Sequence, residues 1–379
     1  MLLFVSGSYP AIPDGIAASA NILLDSMVKI KPECKIGLLT TNLPEIKKYL
    51  KDNKNVSVKY LDNWKLGFKS IKKYISILKN NPITAVHLEY PGVGYGKTLF
   101  ASFLPLLTKF YNIGKKEKIA FYVRLHEFTC ARLSRKIAII PILLFADAIY
   151  VPSFKDRKAA KKLAGKKVKK TVIGTNIRVY KTEKKKTDKK VISYFGSVYP
   201  GKGIEHMLNI WKQIKDRDIE EQFVFKIIGE VNPENNNHFA GYHKRVIDWL
   251  KQYHMLEFVE ITGYITDEEV SKEIQNSHVA TLLYEDGLTL RRGSFLACLV
   301  HGIPIVTSLG DKEANKLLKG HNGIFMSEND SEIINKVFAF AAMDDVEINK
   351  IKWDNQKLST YFDWNEIAKT FLRDYGFWV

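Results

Sequence analysis

Residues 191–214 read VISYFGSVYPGKGIEHMLNIWKQI. The run 191–195 is apolar enough for a strand buried on both faces. A glycine-rich turn follows, with Gly196, Gly201 and Gly203. From Ile204 to Ile214 the apolar residues return every three or four positions, the period of a helix. A strand that passes through such a turn into a helix opens a βαβ unit. The alternation continues toward the C-terminus, with strands predicted at 223–228, 259–261, 279–283 and 303–307. Helices are predicted between them at 242–252, 268–276 and 294–300. Toward the N-terminus the same alternation places strands at 2–5, 35–40, 56–61, 83–88, 119–125 and 148–151, with another starting at 172–173. Helices fall at 18–27 and 71–78. The stretch 179–190, VYKTEKKKTDKK, cannot form core and separates the two series. The expected fold class is α/β, two doubly wound parallel-sheet domains facing across a cleft. Their limits are 1–178 and 191–350, with 179–190 a charged linker and 351–379 a helical segment packing back on the first domain.

At 379 residues, 46% hydrophobic and 26% charged, the chain has material for two cores, which excludes disordered and low-complexity classes. There are 58 Lys and Arg against 41 Asp and Glu, a net +17. That field favours anionic partners; a lysine-rich, solvated surface is the other reading. Cys34, Cys130 and Cys298 are odd in number and far apart, so they form neither a disulfide framework nor a metal set. MLLFVSGSYP lacks the basic start of a signal peptide. The longest apolar stretch, 137–151, contains Pro141 and Asp147 and is too short to span a bilayer. A cytoplasmic protein is expected.

Two motifs are lookalikes. Residues 91–98, PGVGYGKT, resemble a phosphate-binding P-loop, but the first glycine of that motif should stand where Pro91 is. A P-loop kinase acting through Lys97 is therefore a minor alternative. Asp216-Arg217-Asp218 resembles a metal-binding Asp-x-Asp but sits in a charged stretch, as a solvated turn would. The nine histidines show no metal-ligand spacing.

Three loops carry more. In the first, SYPAIPDGIAA (8–18), Asp14 and Gly15 precede a helix whose N-terminus suits an anion. In the second, YFGSVYPGKG (194–203), Lys202 stands beside the free backbone N–H groups of a helix start, a good diphosphate site. The third is YEDGLTLRRGSFLACLVHG (284–302). There Arg291 and Arg292 precede a helix expected to begin at about Ser294 as its N-cap.

The order of these features resembles the GT-B glycosyltransferases, and within them the retaining, family 4-like enzymes. The resemblance runs over nearly the whole chain. It is carried by Gly196-x-x-x-x-x-Lys202-Gly203, Gly229-Glu230, Gly263-Tyr264 and Gly302-Ile303-Pro304 in the second half. In the first half it is carried by PAIPDGIAAS (10–19), RLHEF (124–128), Asp147-Ala148, Val151-Pro152-Ser153 and IGTNI (173–177). Asn322-Gly323 matches a late turn. Two departures stand out. The family's second glutamate, five residues before the Gly of Gly-x-Pro, is Ala297. The arginine after the first glycine of the second domain's opening loop is Ser197.

The resemblance implies transfer of a hexose from a nucleotide-sugar donor to a glycan or lipid-linked acceptor hydroxyl, in surface-glycan synthesis of a bacterium or archaeon. The donor would sit on the second domain, with neither metal nor cofactor, and no nucleic acid as partner. Lys202 and Arg291 would stabilise the departing diphosphate, with Arg292 and the helix at Ser294 beside them. His126 would contact the donor sugar or orient the reacting groups, with Glu127 as runner-up. Glu285 and Asp286 would hold sugar hydroxyls, and Gly263 to Ile265 the base, with Glu230 a further candidate. Asp14, Gly15, Gly196, Ser197 and Tyr264 complete the expected substrate contacts. The loss at Ala297 leaves a second reading, a GT-B-like protein that binds nucleotide sugars and turns them over weakly. A last expectation concerns LFASFLPLL (99–107), followed by Lys109, Lys115, Lys116 and Lys118 and by a lysine cluster at 161–170. It reads either as a segment in peripheral contact with an anionic membrane at the inner face, or as a core helix.

Overall fold

The computed structural model describes residues 1–8, 15–50, 56–182, 189–217, 222–232 and 239–377. The chain forms two compact units, Met1–Gly174 with Asp363–Val379, and Thr175–Phe362. Both are doubly wound parallel α/β sheets.

The first unit holds β1 (Leu2–Val5), β2 (Ile36–Thr41), β3 (Val56–Leu61), β4 (Ala85–Tyr90), β5 (Ala120–Leu125), β6 (Ala148–Val151) and β7 (Val168–Lys170). Their order is β3-β2-β1-β4-β5-β6-β7. β1, β2, β4 and β6 are buried at every position, as strands covered on both faces are, although β4 carries His87 and Glu89 within it. The second unit holds β8 (Lys190–Phe195), β9 (Phe223–Ile228), β10 (Val259–Ile261), β11 (Val279–Leu282), β12 (Ile305–Thr307) and β13 (Ile324–Met326), ordered β10-β9-β8-β11-β12-β13. The strand order reverses between β1 and β4 in one sheet and between β8 and β11 in the other. Open α/β sheets bind ligands outside the carboxyl ends of the strands at such reversals.

Of the two readings of 99–107 the core helix is the one seen: the helix is Phe100–Tyr111 with Leu99 at its cap, and Phe100, Ala101 and Leu104 are fully buried. Three expectations are corrected. The last strand of the first sheet is Val168–Lys170, not 172–173. It is an edge strand with a single buried residue, Val168, and so leaves no apolar signature. The expected break at 350 falls inside the helix Asp345–Ser359. That helix is held in the second unit by Asn355, whose Nδ2 donates to the Ile303 carbonyl at 2.8 Å. Only the helix Trp364–Asp374 joins the first unit, where Phe371 and Leu372 pack with Phe4 and Leu24. Finally, the second unit starts at Thr175 rather than 191, because the Tyr180 amide donates to Ser271 Oγ and its carbonyl accepts from Gln275 Nε2. Of the charged stretch 179–190, residues 183–188 lie outside the described residues.

Candidate active site

The opening loop of the second unit is shaped by close backbone approach. Gly203 has φ 71°, and a Cβ there would sit 1.5 Å from the Leu283 carbonyl oxygen, so the loop after β8 lies flat against the end of β11. A Cβ on Gly229 would stand 2.3 Å from the Gly196 carbonyl oxygen. Only glycine lets the ends of β8 and β9 meet in this way.

These turns rim a cavity of about 420 Å³ at the carboxyl ends of β8, β9 and β10. Gly196, Ser197, Glu230, Gly263 and Tyr264, each singled out in the sequence, line it. The lining side chains that were not expected include Tyr199, Phe239, His243 and Val270. Tyr199 and Phe239 stack with centroids 5.1 Å apart, and the Lys202 ammonium lies 4.8 Å from the Tyr199 ring centroid. The buried His243 donates from Nε2 to the Val198 carbonyl at 2.8 Å and accepts at Nδ1 from the Asn232 amide at 3.1 Å. It ties the wall to the backbone on both sides.

The loop after β11 meets the same corner. Leu288 N donates to Leu309 O at 3.0 Å, which pins the loop to the chain after β12. Ser294 is not the N-cap: the helix is Gly293–His301 with Arg292 at the cap, and the Ser294 hydroxyl is 2.7 Å from that of the buried Tyr284. Ser294 Cβ stands 3.5 Å from where a Gly196 side chain would begin, so both loops converge. Arg292 lies over the Tyr284 ring, 4.5 Å from its centroid, and forms an ion pair with Asp286. The two residues assigned to phosphate and sugar are thus each other's partners. Arg291 is half-buried and Glu285 exposed. Burial holds the Tyr194 hydroxyl well above its ordinary range, reinforced by Tyr284, Tyr199 and Tyr242 around it. Burial also raises Tyr242 and Tyr284, so these three phenols, Tyr194 included, remain neutral donors and acceptors near neutral pH.

In the first unit His126 follows β5 and is 5% exposed. Its Nε2 lies 2.6 Å from Glu89 Oε2, which also accepts from Arg124 Nε at 2.8 Å. The other oxygen, Oε1, accepts from His87 Nε2 at 2.7 Å, and the His87 Nδ1 accepts from the Tyr375 hydroxyl. Burial raises the Glu89 carboxyl, but Arg124, His87 and the His126 hydrogen bond outweigh it and hold Glu89 well below the usual carboxylate range. Burial lowers His87, against the pull of Glu89. An ionised Glu89 fixes the proton of His126 on Nε2 and points the ring. Arg124 Nη2 reaches Ser19 Oγ at 3.1 Å, while its Nη1 is buried with no partner among the described residues. Glu127 is exposed. Gly15 begins the helix Gly15–Ile30 in open surroundings, and Asp14 lies outside the described residues.

The lookalikes dissolve. Val93–Tyr95 is one 3-10 turn whose Tyr95 is buried under Trp64, and Gly94 packs on the Gly7 backbone. Lys97 is exposed and the next helix begins only at Phe100. Asp216 is paired with Lys212 within one helix, and Asp218 lies outside the described residues. Among the described residues no three of His, Cys, Asp or Glu gather as for a metal ion.

Two parallel doubly wound units, the second with a ligand-sized cavity at its strand ends, define the GT-B class of glycosyltransferase folds. Residues 189–341 match the family model described as glycosyl transferases group 1. Among solved structures, a glycosyltransferase from Rickettsia africae is similar at TM-score 0.75 and 14% identity, covering 99% of this chain and 97% of that one. HepE of Anabaena, in complex with UDP and glucose, is similar at TM-score 0.70 and 14% identity, over 99% of each chain. Sucrose-phosphate synthase of Thermosynechococcus elongatus has the same TM-score and identity, over 99% and 98%. At these identities the likeness is one of fold. No curated protein matches the sequence.

Proposed function

We propose that this chain is a glycosyltransferase that moves a sugar from a nucleoside-diphosphate donor to an acceptor hydroxyl. The observation that carries the reading is the cavity built from the loops after β8, β9 and β10, with Lys202 over the ring of its lining Tyr199 and Arg291, Arg292 and Ser294 on the loop that meets Gly196. The backbone at Gly263 and the rings of Tyr199, Phe239 and Tyr264 suit a base and ribose. The cations suit the diphosphate, whose charge grows as the glycosidic bond breaks. HepE, with the same fold, holds UDP and UDP-glucose, which favours a uridine donor here. His126, with its proton held on Nε2 by Glu89, is the group of the first unit that would orient the sugar or the acceptor. Fixed cations can do this work without a divalent metal. Retention of configuration, a glycan or lipid-linked acceptor and a role in surface-glycan synthesis complete the proposal.

The test is a thermal-shift screen of nucleoside diphosphates and their sugars, since a ligand of the folded state raises Tm. Uridine compounds are expected to stabilise, and turnover to survive excess EDTA. No stabilisation by any nucleotide would overturn the reading. A second reading rests on Ala297, which is fully buried and supplies no carboxylate. Binding of the donor with only slow hydrolysis, whatever acceptor is offered, would favour a binding protein over a transferase.

A further inference from the structure

The helix Leu133–Phe145 has no polar residue from Ile137 to Phe145. A helix apolar on all sides is normally buried on all sides. This one buries only Ala138, Ile139, Ile142 and Leu143. Leu133, Ile137, Ile140 and Leu144 are 73, 58, 44 and 54% exposed. Their spacing of four, three and four residues sets them in one outward stripe along the helix. Exposed Phe110 and Ile113 end the preceding helical segment, and exposed Leu163 ends the following helix, Phe154–Ala164. Helices that cross back over a parallel sheet end at the same edge, so these residues gather near the Leu144 end of the stripe.

The charge around the stripe is of one sign. From Leu133 to Gly165 the chain has seven Lys and Arg and two acids, and both acids are engaged. Asp147 is bound by Lys109 at 2.5 Å, and the buried Asp156 accepts from the Thr129 amide. Lys155, Lys158 and Lys162 are exposed along the next helix, and Lys167 donates to the Leu144 carbonyl.

We propose that this face docks on an anionic lipid surface, with the helix Leu133–Phe145 lying in the headgroup plane. At about 1.5 Å per residue its thirteen residues reach about 20 Å, too short to cross a hydrocarbon core of about 30 Å. The combination of an apolar stripe and flanking cations is what binds an interface. A second copy of the chain fits less well. A two-fold contact would set the same lysine field against itself. The stripe begins seven residues after His126, so docking brings the carboxyl end of β5 close to the lipid. Resting on the proposed transferase reading, this makes the acceptor a lipid-borne hydroxyl.

The experiment is co-sedimentation of the full chain with vesicles of phosphatidylcholine alone or with 30 mol% phosphatidylglycerol, at low and high salt. Binding is expected only with the anionic lipid, weakened by salt. The double variant Ile137→Asn, Ile140→Asn is expected to bind at least about tenfold more weakly. Because both side chains are exposed, its melting should stay within a degree or two of the parent. The control Phe68→Asn, Val346→Asn removes apolar groups that are 79 and 78% exposed elsewhere, and is expected to bind as the parent does. Equal binding by all three proteins, or none at low salt, overturns the proposal. So does a parent dimer that the Ile137 and Ile140 changes dissociate without altering vesicle binding. Stabilisation by uridine diphosphate, measured on the same proteins, reports separately on the donor site.

Discussion

At the carboxyl ends of β4 and β5 the first unit encloses a carboxylate, a guanidinium and two imidazoles. At the carboxyl ends of β8 to β10 the second unit leaves an open cavity walled by backbone and rings. The enclosed cluster spends desolvation energy that its ion pairs only partly return, so stability does not explain it. What it gains is direction: His126 has one tautomer and one orientation. The open site works the other way. Lys202 rests on the Tyr199 face, while Arg292, mostly buried over Tyr284, is already paired with Asp286. Moving from a ring face to a phosphate requires little desolvation. One sheet end is preorganised by burial, the other is kept available by weak contacts.

The largest effect that tests this contrast is on stability. Glu89→Ala leaves Arg124 buried without its counter-ion, and the expected loss is about 3–5 kcal/mol in urea unfolding. Lys202→Ala, at the other sheet end, is expected to cost under about 0.5 kcal/mol. If the two variants unfold alike, the contrast between the sheet ends is wrong.

Turnover should reverse that order of sensitivity. Lys202→Ala and Arg291→Ala are each expected to reduce the rate by about tenfold or more, about 1.4 kcal/mol of transition-state stabilisation, with melting unchanged. Normal rates in both would mean that the diphosphate binds elsewhere.

The sequence announced this second sheet end better than the first. The glycines after β8, β9 and β10 are visible as turn residues, and their neighbours do line the cavity. The rings were hidden because Tyr199 stands inside the glycine-rich turn and Phe239 follows the polar run 232–238, so neither carries a pattern that marks a wall. The cap was placed two residues late, at Ser294, because Arg292, a poor capping residue, ends the preceding loop. The Glu89 cluster left a signal that went unread. His87 and Glu89 are two apart on β4, Arg124 and His126 two apart at β5, and Glu89 pairs in register with Arg124. Alternate residues of neighbouring strands share one face. Strand positions were legible because both faces are buried. Within the apolar stretch at 137–151 the strand 148–151 was legible, while the helix before it was not, since Ala146-Asp147 leaves no break in hydropathy long enough to mark its end.

A smaller effect is set by pH. His87 is neutral in the fold and its pKa is lowered, first by burial. The unfolded chain therefore binds the proton more readily. His87 supports the fold fully above about pH 6.5, and its contribution falls as pH drops below that value, by at most about 1.4 kcal/mol per pH unit. Glu89, lowered in the fold, adds its own loss only below about pH 4.5. His301 in the second unit is lowered by burial too and adds to the upper phase. Urea midpoints measured between pH 8 and 5 should decline below 6.5. A midpoint constant down to pH 5 would mean that His87 is already charged in the fold.

The smallest expected effect belongs to the most exposed ring of the cavity. Tyr264 follows Gly263 at the end of β10, lines the pocket and is 90% exposed. A side chain so free contributes almost nothing to folding, so Tyr264→Ala should melt with the parent. Its use can only be toward a ligand, as a face against which a base stacks. Aromatic stacking adds about 0.5–1.5 kcal/mol beyond area burial, or about two- to tenfold in affinity. The donor Kd, measured by calorimetry, should therefore weaken by that much while the rate at saturation holds. Loss of rate at saturation with unchanged Kd would move Tyr264 from the base to the reacting sugar. No change in either would leave the base on the stacked rings of Tyr199 and Phe239, and would place the donor deeper toward Gly229.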